Sequence, residues 1–255
     1  MRKDKEILSS VTNAMRILRL YHTKQRELSF TEIKKKLQFT QGNASRLIAI
    51  LVKEGFLTKN PRTNHYRLGL SILSLGGAIF SHHEMYREAL PIIKDISKSL
   101  KETVHLCLME NEKIVYLFRS ERKPHPDRLV TQIGRTSPIH CTSEGLCILA
   151  FQSKDVIQEF LSKPLYAYTP YTITDAKTLT NCLIEIRKKD YCYLESTYYE
   201  GYTSIAVPIR SHTEEVVASL SVIGHSSRFT TDKLNTIITQ MKDAGDEISN
   251  QLGYI

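Results

Sequence analysis

Apolar residues recur at helical spacing near the start of the chain, which predicts two helices before residue 40. The capping-box pattern SFTE, with Ser29 and Glu32 three residues apart, predicts that the second helix covers about 30–36. Leu28 and Ile33 occupy the hydrophobic-staple positions on either side of that helix start. The apolar face of the first helix, within VTNAMRILRLY, consists of Val11, Ala14, Ile17, Leu18 and Tyr21.

A third helix is predicted to follow Thr40, whose hydroxyl can cap it. The opposite face of this helix begins with short polar residues, and Gly42 lets its first turn approach another surface closely. In a helix-turn-helix, such an end of the second helix reads base edges in the major groove. An ordinary solvated helix end is the alternative, because Asn, Ser and Gly are common near helix caps. The predicted buried stripe consists of Ala44, Leu47, Ile48, Leu51 and Val52.

Two short strands, FLTK and HYRL, are predicted after Gly55 ends the third helix. The connecting turn NPRTN carries Arg62 and is flanked by Lys59 and Arg67, so the hairpin is basic. Three helices followed by a basic hairpin form a winged helix-turn-helix, whose wing can lie along phosphates. The candidate DNA contacts are Ser29, Thr40, Gln41, Gly42, Asn43, Ser45, Arg46, Lys59, Arg62 and Arg67.

The remainder of the chain alternates between strand and helix patterns, which predicts a separate α/β domain. An isoleucine-rich helix precedes the strands TVHLCLM and KIVYLFR, which turn at Asn111 and Glu112. One helix is predicted to start near Ser143, and another covers roughly 175–189. The strands YCYLES, YTSIAVPI and EVVASLSVI then come in series before a last helix. Helices around a mostly antiparallel sheet commonly leave a concave binding site at one face.

Positive charge is concentrated at the N-terminal end, which indicates a polyanionic partner for that end. Residues 1–70 hold 15 lysines and arginines against 5 aspartates and glutamates, whereas the remaining 185 residues hold 20 against 22. Lysine and arginine release condensed counterions from phosphates and give sequence-independent affinity for nucleic acid. A basic surface that serves only solubility is the alternative.

Cysteine usage and hydropathy favour a cytoplasmic protein that does not enter a membrane. The five cysteines form an odd number with no CxxC motif, which is typical of reduced thiols. The N-terminal MRKDKEILSS lacks the apolar run of a signal peptide, and no segment approaches 18 consecutive apolar residues.

Several segments, in this order, resemble the IclR family of bacterial transcriptional regulators. They are SSVTNAMRILRL, TEIKKKLQFTQGNASRLIAILVKEGFL, YRLGLSILSLG, GRTSPIHCTSEGLCILAF, YTITDAKTL and EGYTSIAVPIRSHTEEVVASLSVIG, and they span about residues 9–253. The resemblance implies an α+β architecture in which a winged helix-turn-helix DNA-binding domain (1–70) is joined by a linker helix (71–83) to a GAF/PAS-like α/β effector-binding domain (84–255).

The resemblance also implies a homodimer, or a homotetramer, on a palindromic operator in double-stranded DNA. Repressors are more common in the family than activators. The need for two half-sites about one DNA turn apart independently favours a dimer, because one recognition helix reads only a few base pairs.

The resemblance implies a small-molecule effector between the loop that precedes the helix near Ser143 and the three late strands. The backbone amides of Ser143 and Glu144 match the helix start, and unpaired amides there suit an anionic group. Ser221 matches a family serine that bonds a bound carboxylate. Other positions depart from the family pattern and make the site less polar, which implies an organic acid with an apolar or aromatic part. The departures are Leu194, Thr197, Ser204 and Ile223.

Three tyrosines near these positions leave two interpretations open. Tyr198, Tyr199 and Tyr202 can border the effector, or they can pack in the core or at a subunit contact.

A Cys/His-dependent hydrolase with a nucleic-acid-binding module is the alternative function, because HCTSEG brings His140, Cys141 and Ser143 together. Adjacent strand residues point to opposite faces, and no GxSxG or nucleotide-binding motif accompanies them. We therefore expect no enzyme activity and no cofactor. A zinc or iron site is not expected either, because the histidines and cysteines, including His82 and His83, are scattered. The order of helices and wing disfavours an RNA-binding or lipid-binding module.

Overall fold

Two compact units make up the chain, one within residues 1–82 and the other within residues 83–255. The computed structural model describes residues 2–22, 25–82, 84–121, 131 and 133–254, with the backbone alone for residues 2–9 and 82. The side chain of His82, and His83 at the end of the predicted linker helix, lie outside the described residues. No helix within the described ranges is long and apolar enough to cross a membrane.

The N-terminal unit combines short helices with a two-stranded hairpin. The predicted capping box forms, because the Ser29 hydroxyl accepts from the Glu32 amide at 3.2 Å and the Glu32 carboxylate accepts from the Ser29 amide at 2.8 Å. The Thr40 hydroxyl caps the third helix by accepting from the amide of Asn43. The elements are α1 (Arg2–Leu18), α2 (Phe30–Leu37), α3 (Gln41–Lys53), β1 (Leu57–Lys59), β2 (Tyr66–Leu68) and α4 (Leu70–His82).

Leu28 and Ile33 are fully buried in the core of this unit, as the hydrophobic staple predicts. Val11, which the periodicity places on the buried face of α1, is 57% exposed instead. Among the side chains of α1 that the structure describes, those that join the core lie towards its C-terminal end. The core residues contributed by α1 are Ala14, Ile17 and Leu18, with Tyr21 just beyond the helix.

The hairpin of β1 and β2 is attached to the helices by a backbone bridge. Leu57 pairs with Leu68, and Lys59 pairs with Tyr66, in antiparallel register. Tyr66 exchanges two backbone hydrogen bonds, of 2.7 and 2.9 Å, with the Leu28 residue that precedes α2. The hairpin therefore has a set position beside α2, as expected for a wing.

A six-stranded antiparallel sheet forms the centre of the C-terminal unit. Its strands are β3 (Thr103–Glu110), β4 (Lys113–Ser120), β5 (Thr136–Pro138), β6 (Cys192–Glu195), β7 (Tyr202–Arg210) and β8 (Val216–His225). Their order across the sheet is β5-β4-β3-β8-β7-β6. The predicted turn at Asn111 and Glu112 joins β3 to β4, and both residues have positive φ.

Helices cover both faces of this sheet. They are α5 (Glu84–Leu100), α6 (Ser143–Leu149), α7 (Lys154–Leu161), α8 (Ala176–Lys189) and α9 (Thr231–Gln251). The helices α5 and α9 pack together on one face, and α6 packs with α8 on the other. Adjacent residues of β7 point to opposite faces of the sheet. Ala206 lies in the hydrophobic cluster around α6 and α8, whereas Val207 contacts α9 at Gly245. The sequence pattern predicts neither β5 nor α7, because both are short and α7 has no fully buried residue.

The start of α6 lies in close contact with the turn at residues 139–142. A Cβ atom at Gly145 would lie 2.4 Å from the carbonyl oxygen of Ile139 and 2.6 Å from its Cα. The Thr142 hydroxyl donates to the Pro138 carbonyl oxygen at 2.7 Å and connects the turn to β5. Glycine at position 145 therefore allows α6 to begin directly against the turn.

We expect Gly145→Ala to lower the free energy of unfolding of the C-terminal unit by about 1–3 kcal/mol, because the new methyl group meets backbone rather than a flexible side chain. Gly77→Ala in α4 is the control, since a Cβ there meets nothing within 4 Å. That change should stabilise the helix by roughly 0.5–1 kcal/mol. Urea unfolding followed by circular dichroism measures both. Unchanged stability in Gly145→Ala would show that α6 can shift at little cost.

Candidate functional site

The first turn of α3 is an exposed polar surface next to a basic helix. Ala44 is fully buried within this turn. A Cβ added at Gly42 would meet nothing within 4 Å, so packing inside the unit does not require this glycine. The ammonium group of Lys34 in α2 donates to the side-chain oxygen of Gln41 in α3 at 3.5 Å. The side chains on the surface are Gln41, Asn43, Ser45 and Arg46, of which Asn43 is partly buried.

Ser29 and Thr40, two of the predicted DNA contacts, use their hydroxyls to cap helices. The amide and the hydroxyl of Ser29 both donate to the Glu32 carboxylate at 2.8 Å, and these bonds hold the pKa of Glu32 below its usual value. The Thr40 hydroxyl accepts from the Asn43 amide at 3.4 Å. Both side chains therefore shape the starts of α2 and α3, which limits their capacity to bond a partner directly.

The predicted basic residues of the wing are all exposed. The Asn60 side-chain oxygen accepts from the amides of Arg62 and Thr63 at 3.0 and 3.4 Å and so orders the hairpin tip. The ammonium group of Lys59 lies 5.8 Å from the ring centroid of Tyr66. The exposed cations of the wing are Lys59, Arg62 and Arg67.

In the C-terminal unit, a small cavity lies between the sheet and the start of α6. Its volume is about 20 Å³, close to the space that one water molecule needs. Three of the six predicted effector residues line it, namely Glu144, Ser204 and Ile223. The other residues of its wall are Tyr116, Cys141, Thr142, Thr197, Tyr198, Tyr199 and Tyr202.

Ser143, Leu194 and Ser221, the other predicted effector residues, are buried but do not line this cavity. Leu194 packs in the hydrophobic cluster around α6 and α8. The Ser221 hydroxyl has no nitrogen or oxygen partner among the described residues and contacts the thiol of Cys107. The family resemblance places these residues near the site but does not show how deeply neighbouring groups cover their side chains.

Glu144 contributes an acidic side chain to the cavity, whereas the sequence predicts a role only for its backbone amide. The residue is 4% exposed, and its two carboxyl oxygens accept from the hydroxyls of Tyr116 and Ser143, each at 3.0 Å. Burial raises the pKa of this carboxyl group. The predicted attraction of an anion to the start of α6 is therefore opposed by an acid at the same place, and α6 has only seven residues.

A row of aromatic rings runs along the cavity. The ring centroids are 5.1 Å apart for Tyr168 and Tyr198, 4.5 Å for Tyr198 and Tyr199, and 6.2 Å for Tyr199 and Tyr202. Of the two interpretations open for the last three tyrosines, their position favours the cavity wall. Tyr198 also borders a groove of about 440 Å³ lined by β5 and parts of residues 160–168.

His105 and Ser221 form a buried polar pair on the face of the sheet that borders the cavity. His105 of β3 and Ser221 of β8 are paired in register, and Ser221 shares its face with the cavity residue Ile223. His105 Nε2 is 3.0 Å from the Thr131 hydroxyl, but Nδ1 has no partner in the described part of the chain. Burial, and the charge of Arg119, lower the pKa of His105 to about 3, so the ring is neutral at physiological pH.

His140 and Cys141 lack the features of a catalytic pair. They lie in the turn at residues 139–142 and not on a strand, as the sequence argument had assumed. His140 Nε2 donates to the Tyr166 carbonyl oxygen at 2.8 Å. Burial, with Glu144 nearby, raises the pKa of Cys141, which disfavours the thiolate. Within the residues that the structure describes, no three His, Cys, Asp or Glu side chains come together as a metal site.

Two family descriptions match most of the chain. "IclR helix-turn-helix domain" matches residues 10–61, and "Bacterial transcriptional regulator IclR C-terminal" matches residues 77–250. The chain belongs to the IclR family of transcriptional regulators. It is therefore a DNA-binding regulator with a helix-turn-helix domain and a C-terminal effector-binding domain, and the resemblance stated from its motifs is confirmed.

Relatives that match along the whole chain agree with this family. The chain is 27% identical over 249 residues to the HTH-type transcriptional regulator XynR of Escherichia coli (strain K12), covering 97% of this chain and 98% of XynR. The solved structure of the Thermotoga maritima IclR has a TM-score of 0.82 at 28% identity and covers 97% of this chain and 100% of that one. These matches confirm the fold class and the prediction of a regulator rather than an enzyme.

An IclR homologue from Microbacterium hydrocarbonoxydans, solved as a complex with 4-hydroxybenzoate, shares the same fold. Its TM-score is 0.84 at 24% identity, and the match covers 95% of this chain and 98% of that one.

We expect the thiols of the folded protein to react slowly with a disulfide reagent near pH 8, because burial raises the pKa of each of the five cysteines. Cys182 should react first, since it is only partly buried. Mass spectrometry of timed samples identifies the modified residue, and the chain unfolded in guanidinium is the control. A Cys141 that reacts faster in the folded than in the unfolded chain would revive the hydrolase alternative.

Proposed function

We propose that this regulator is a cytoplasmic repressor that binds a palindromic operator as a homodimer or homotetramer, with an affinity that a small molecule modulates. Residues 1–70 bind DNA, residues 71–83 form the linker helix, and residues 84–255 bind the effector. The observation that carries the proposal is the exposed polar first turn of α3, which lies in the same unit as a basic wing.

The exposed residues of α3 suit the edges of base pairs. Asn and Gln pair with adenine, and Arg pairs with guanine, through two hydrogen bonds each in the major groove. The open space at Gly42 lets the helix backbone come close to the bases. Lys59, Arg62 and Arg67 suit phosphates, which position a protein without specifying sequence. We assign base contacts to Gln41, Asn43, Ser45 and Arg46.

Exposed apolar residues support contact with a second copy of the chain. An apolar surface of this kind is typical of an interface, because its burial contributes roughly 25 cal/mol per Å². Two N-terminal units then present two α3 helices to the two half-sites of the operator. The exposed fractions are 81% for Leu70, 71% for Leu73, 57% for Leu75 and 58% for Ile79 in α4, and 57% for Val11 and 45% for Met15 in α1.

The cavity beside α6 supports control by a small molecule. It combines a few polar groups with aromatic walls, which is typical of ligand sites. The Microbacterium hydrocarbonoxydans homologue, which has the same fold, binds 4-hydroxybenzoate. We expect effector and operator to influence each other by about 1–3 kcal/mol. Because such linkage is reciprocal, DNA must change the affinity for the effector by the same factor.

We expect Asn43→Ala and Arg46→Ala to lose sequence preference, each by roughly 1–3 kcal/mol, because each removes a contact to a base edge. Arg62→Ala should weaken binding to operator and random DNA alike, and should reduce the salt slope by about one, because it removes a phosphate contact. Binding to an operator selected from random duplexes, and to a scrambled duplex, measures both effects over a range of salt concentrations.

Lys53→Ala is the matched control for Arg46→Ala, since it removes the same charge at the opposite end of α3. It should leave sequence preference intact. Equal loss on operator and scrambled DNA for Asn43→Ala would contradict the assignment of base reading to the first turn of α3.

We expect the double variant Leu73→Ser and Ile79→Ser to raise the dimer dissociation constant at least about tenfold, because each buried apolar side chain contributes about 1.5–3 kcal/mol. Sedimentation velocity over a dilution series measures this. Val156→Ser is the control, because Val156 is an apolar residue of α7 whose exposed fraction is 41%. An unchanged dissociation constant in the double variant would remove α4 from the interface.

A further inference from the structure

The geometry of the C-terminal cavity points to a small organic cation as the effector, with its ammonium group bound beside Glu144. This inference rests on the proposed function, because it takes the cavity at the start of α6 as the effector site. It departs from the organic acid that the family resemblance implies.

The carboxyl group of Glu144 is buried without a basic partner. Within the described residues, no Lys, Arg or His side chain lines the cavity. The two oxygens accept hydrogen bonds from the hydroxyls of Tyr116 and Ser143. A carboxylate can accept about four hydrogen bonds, so each oxygen retains capacity for another donor. A bound cation stabilises the charged form of a buried carboxyl group that has no basic side chain beside it, whereas a bound anion is repelled by that form.

The aromatic wall suits the same ligand. Four tyrosines line the cavity, and their rings attract cations through the negative face of the π system. Aromatic rings combined with a carboxyl group are the groups that recognise alkylated ammonium ions in proteins. The four are Tyr116, Tyr198, Tyr199 and Tyr202.

The titratable groups around Glu144 do not neutralise its carboxyl group. Six are cysteines and tyrosines whose pKa is raised by burial, so they are uncharged at physiological pH, and they come from β3, β4, β6, α6, the 139–142 turn and the 198–202 segment. His105, whose ring centroid is 4.9 Å from that of Tyr116, is also neutral because burial lowers its pKa. Arg135 acts on Tyr199 and Arg210 acts on Cys147, but neither lines the cavity. A bound cation would lower the pKa of Glu144 and release its proton. The surrounding acids are Cys107, Tyr116, Cys141, Cys147, Cys192 and Tyr199.

The sizes of the two spaces indicate how such a ligand lies. The cavity of about 20 Å³ holds little more than a water molecule, so only the charged head group fits near it. Tyr198 borders both this cavity and the groove of about 440 Å³. A ligand larger than its head group must therefore displace the Tyr198 ring, and its apolar part then lies in the groove beside Phe160 and Leu165.

Melting curves of the full chain with benzylamine and benzoate test the sign of the ligand charge, because the two probes share a ring. Tetramethylammonium is the third probe. At about 10 mM, a ligand with a Kd of about 1 mM raises the melting temperature measurably. We expect both cations to raise it and benzoate to leave it unchanged. Stabilisation by benzoate alone, or by none of the probes, overturns the inference.

Glu144→Gln keeps the shape of the side chain and removes its charge. We expect it to bind both cations roughly 10- to 100-fold more weakly, the effect of losing a hydrogen bond or contact to a charged group. Glu200→Gln is the matched control, because Glu200 is exposed in the same region. It should bind the cations as the unaltered chain does. Equal cation affinity in Glu144→Gln and Glu200→Gln overturns the role of Glu144.

Proton release from the unaltered chain gives a test that does not depend on folding of the variant. Tetramethylammonium carries no titratable proton, so protons released on its binding come from the protein. Calorimetry over a range of pH, in two buffers of different ionisation enthalpy, should show proton release on binding, because burial raises the pKa of Glu144 and a bound cation lowers it. Binding without proton release contradicts the placement of the cation beside Glu144.

DNA binding measured in parallel separates the two proposals. If benzoate or another acid changes operator affinity and the cations do not, the proposed function survives and the cation inference fails. If the chain binds no duplex DNA at low salt, the proposed function fails whatever the ligand experiments show.

Discussion

The close contact between α6 and the turn at residues 139–142 sets the geometry of the effector cavity. Because Gly145 has no side chain, the start of α6 lies directly on the turn, and the Glu144 carboxyl group reaches the hydroxyl of Tyr116 on β4. The Thr197 hydroxyl donates to the Cys141 carbonyl oxygen at 2.8 Å and attaches the tyrosine segment to the same turn. The close contact of Gly145 with the turn thus determines which chemical groups a ligand contacts in the cavity.

The two units use electrostatics in opposite ways. The N-terminal unit presents many cations and short polar groups at its surface, where salt screens each contact and affinity is the sum of several weak terms. The C-terminal unit buries the Glu144 carboxyl group beside its cavity, where screening is small and one charge has a large effect on which ligand binds. A regulator with this division reads DNA through many contacts and distinguishes ligands through few.

Local interactions explain why the elements of the N-terminal unit were predictable. The capping box at Ser29 and Glu32, the Thr40 cap and the apolar stripe of α3 each involve residues within a few positions of one another. Val11 follows the same helical period, yet it is exposed, because a period shows which face a residue occupies and not whether another element covers it. In the C-terminal unit, α7 was not predicted, because it is only eight residues long and covers the core with partly buried residues.

For the first turn of α3 and the basic hairpin, sequence was sufficient to predict the local structure, since the conformation of each depends on near neighbours. For the cavity, sequence and resemblance predicted Glu144, Ser204 and Ile223 as lining residues. They did not predict Tyr116, or that the side chain of Glu144 lines the cavity. Tyr116 is 28 residues from Glu144 along the chain, and the two meet because the folded sheet places β4 beneath the start of α6. Caps and turns depend on neighbours in sequence, whereas burial, and with it the pKa of a carboxyl group, depends on strand order and on what covers each face of the sheet.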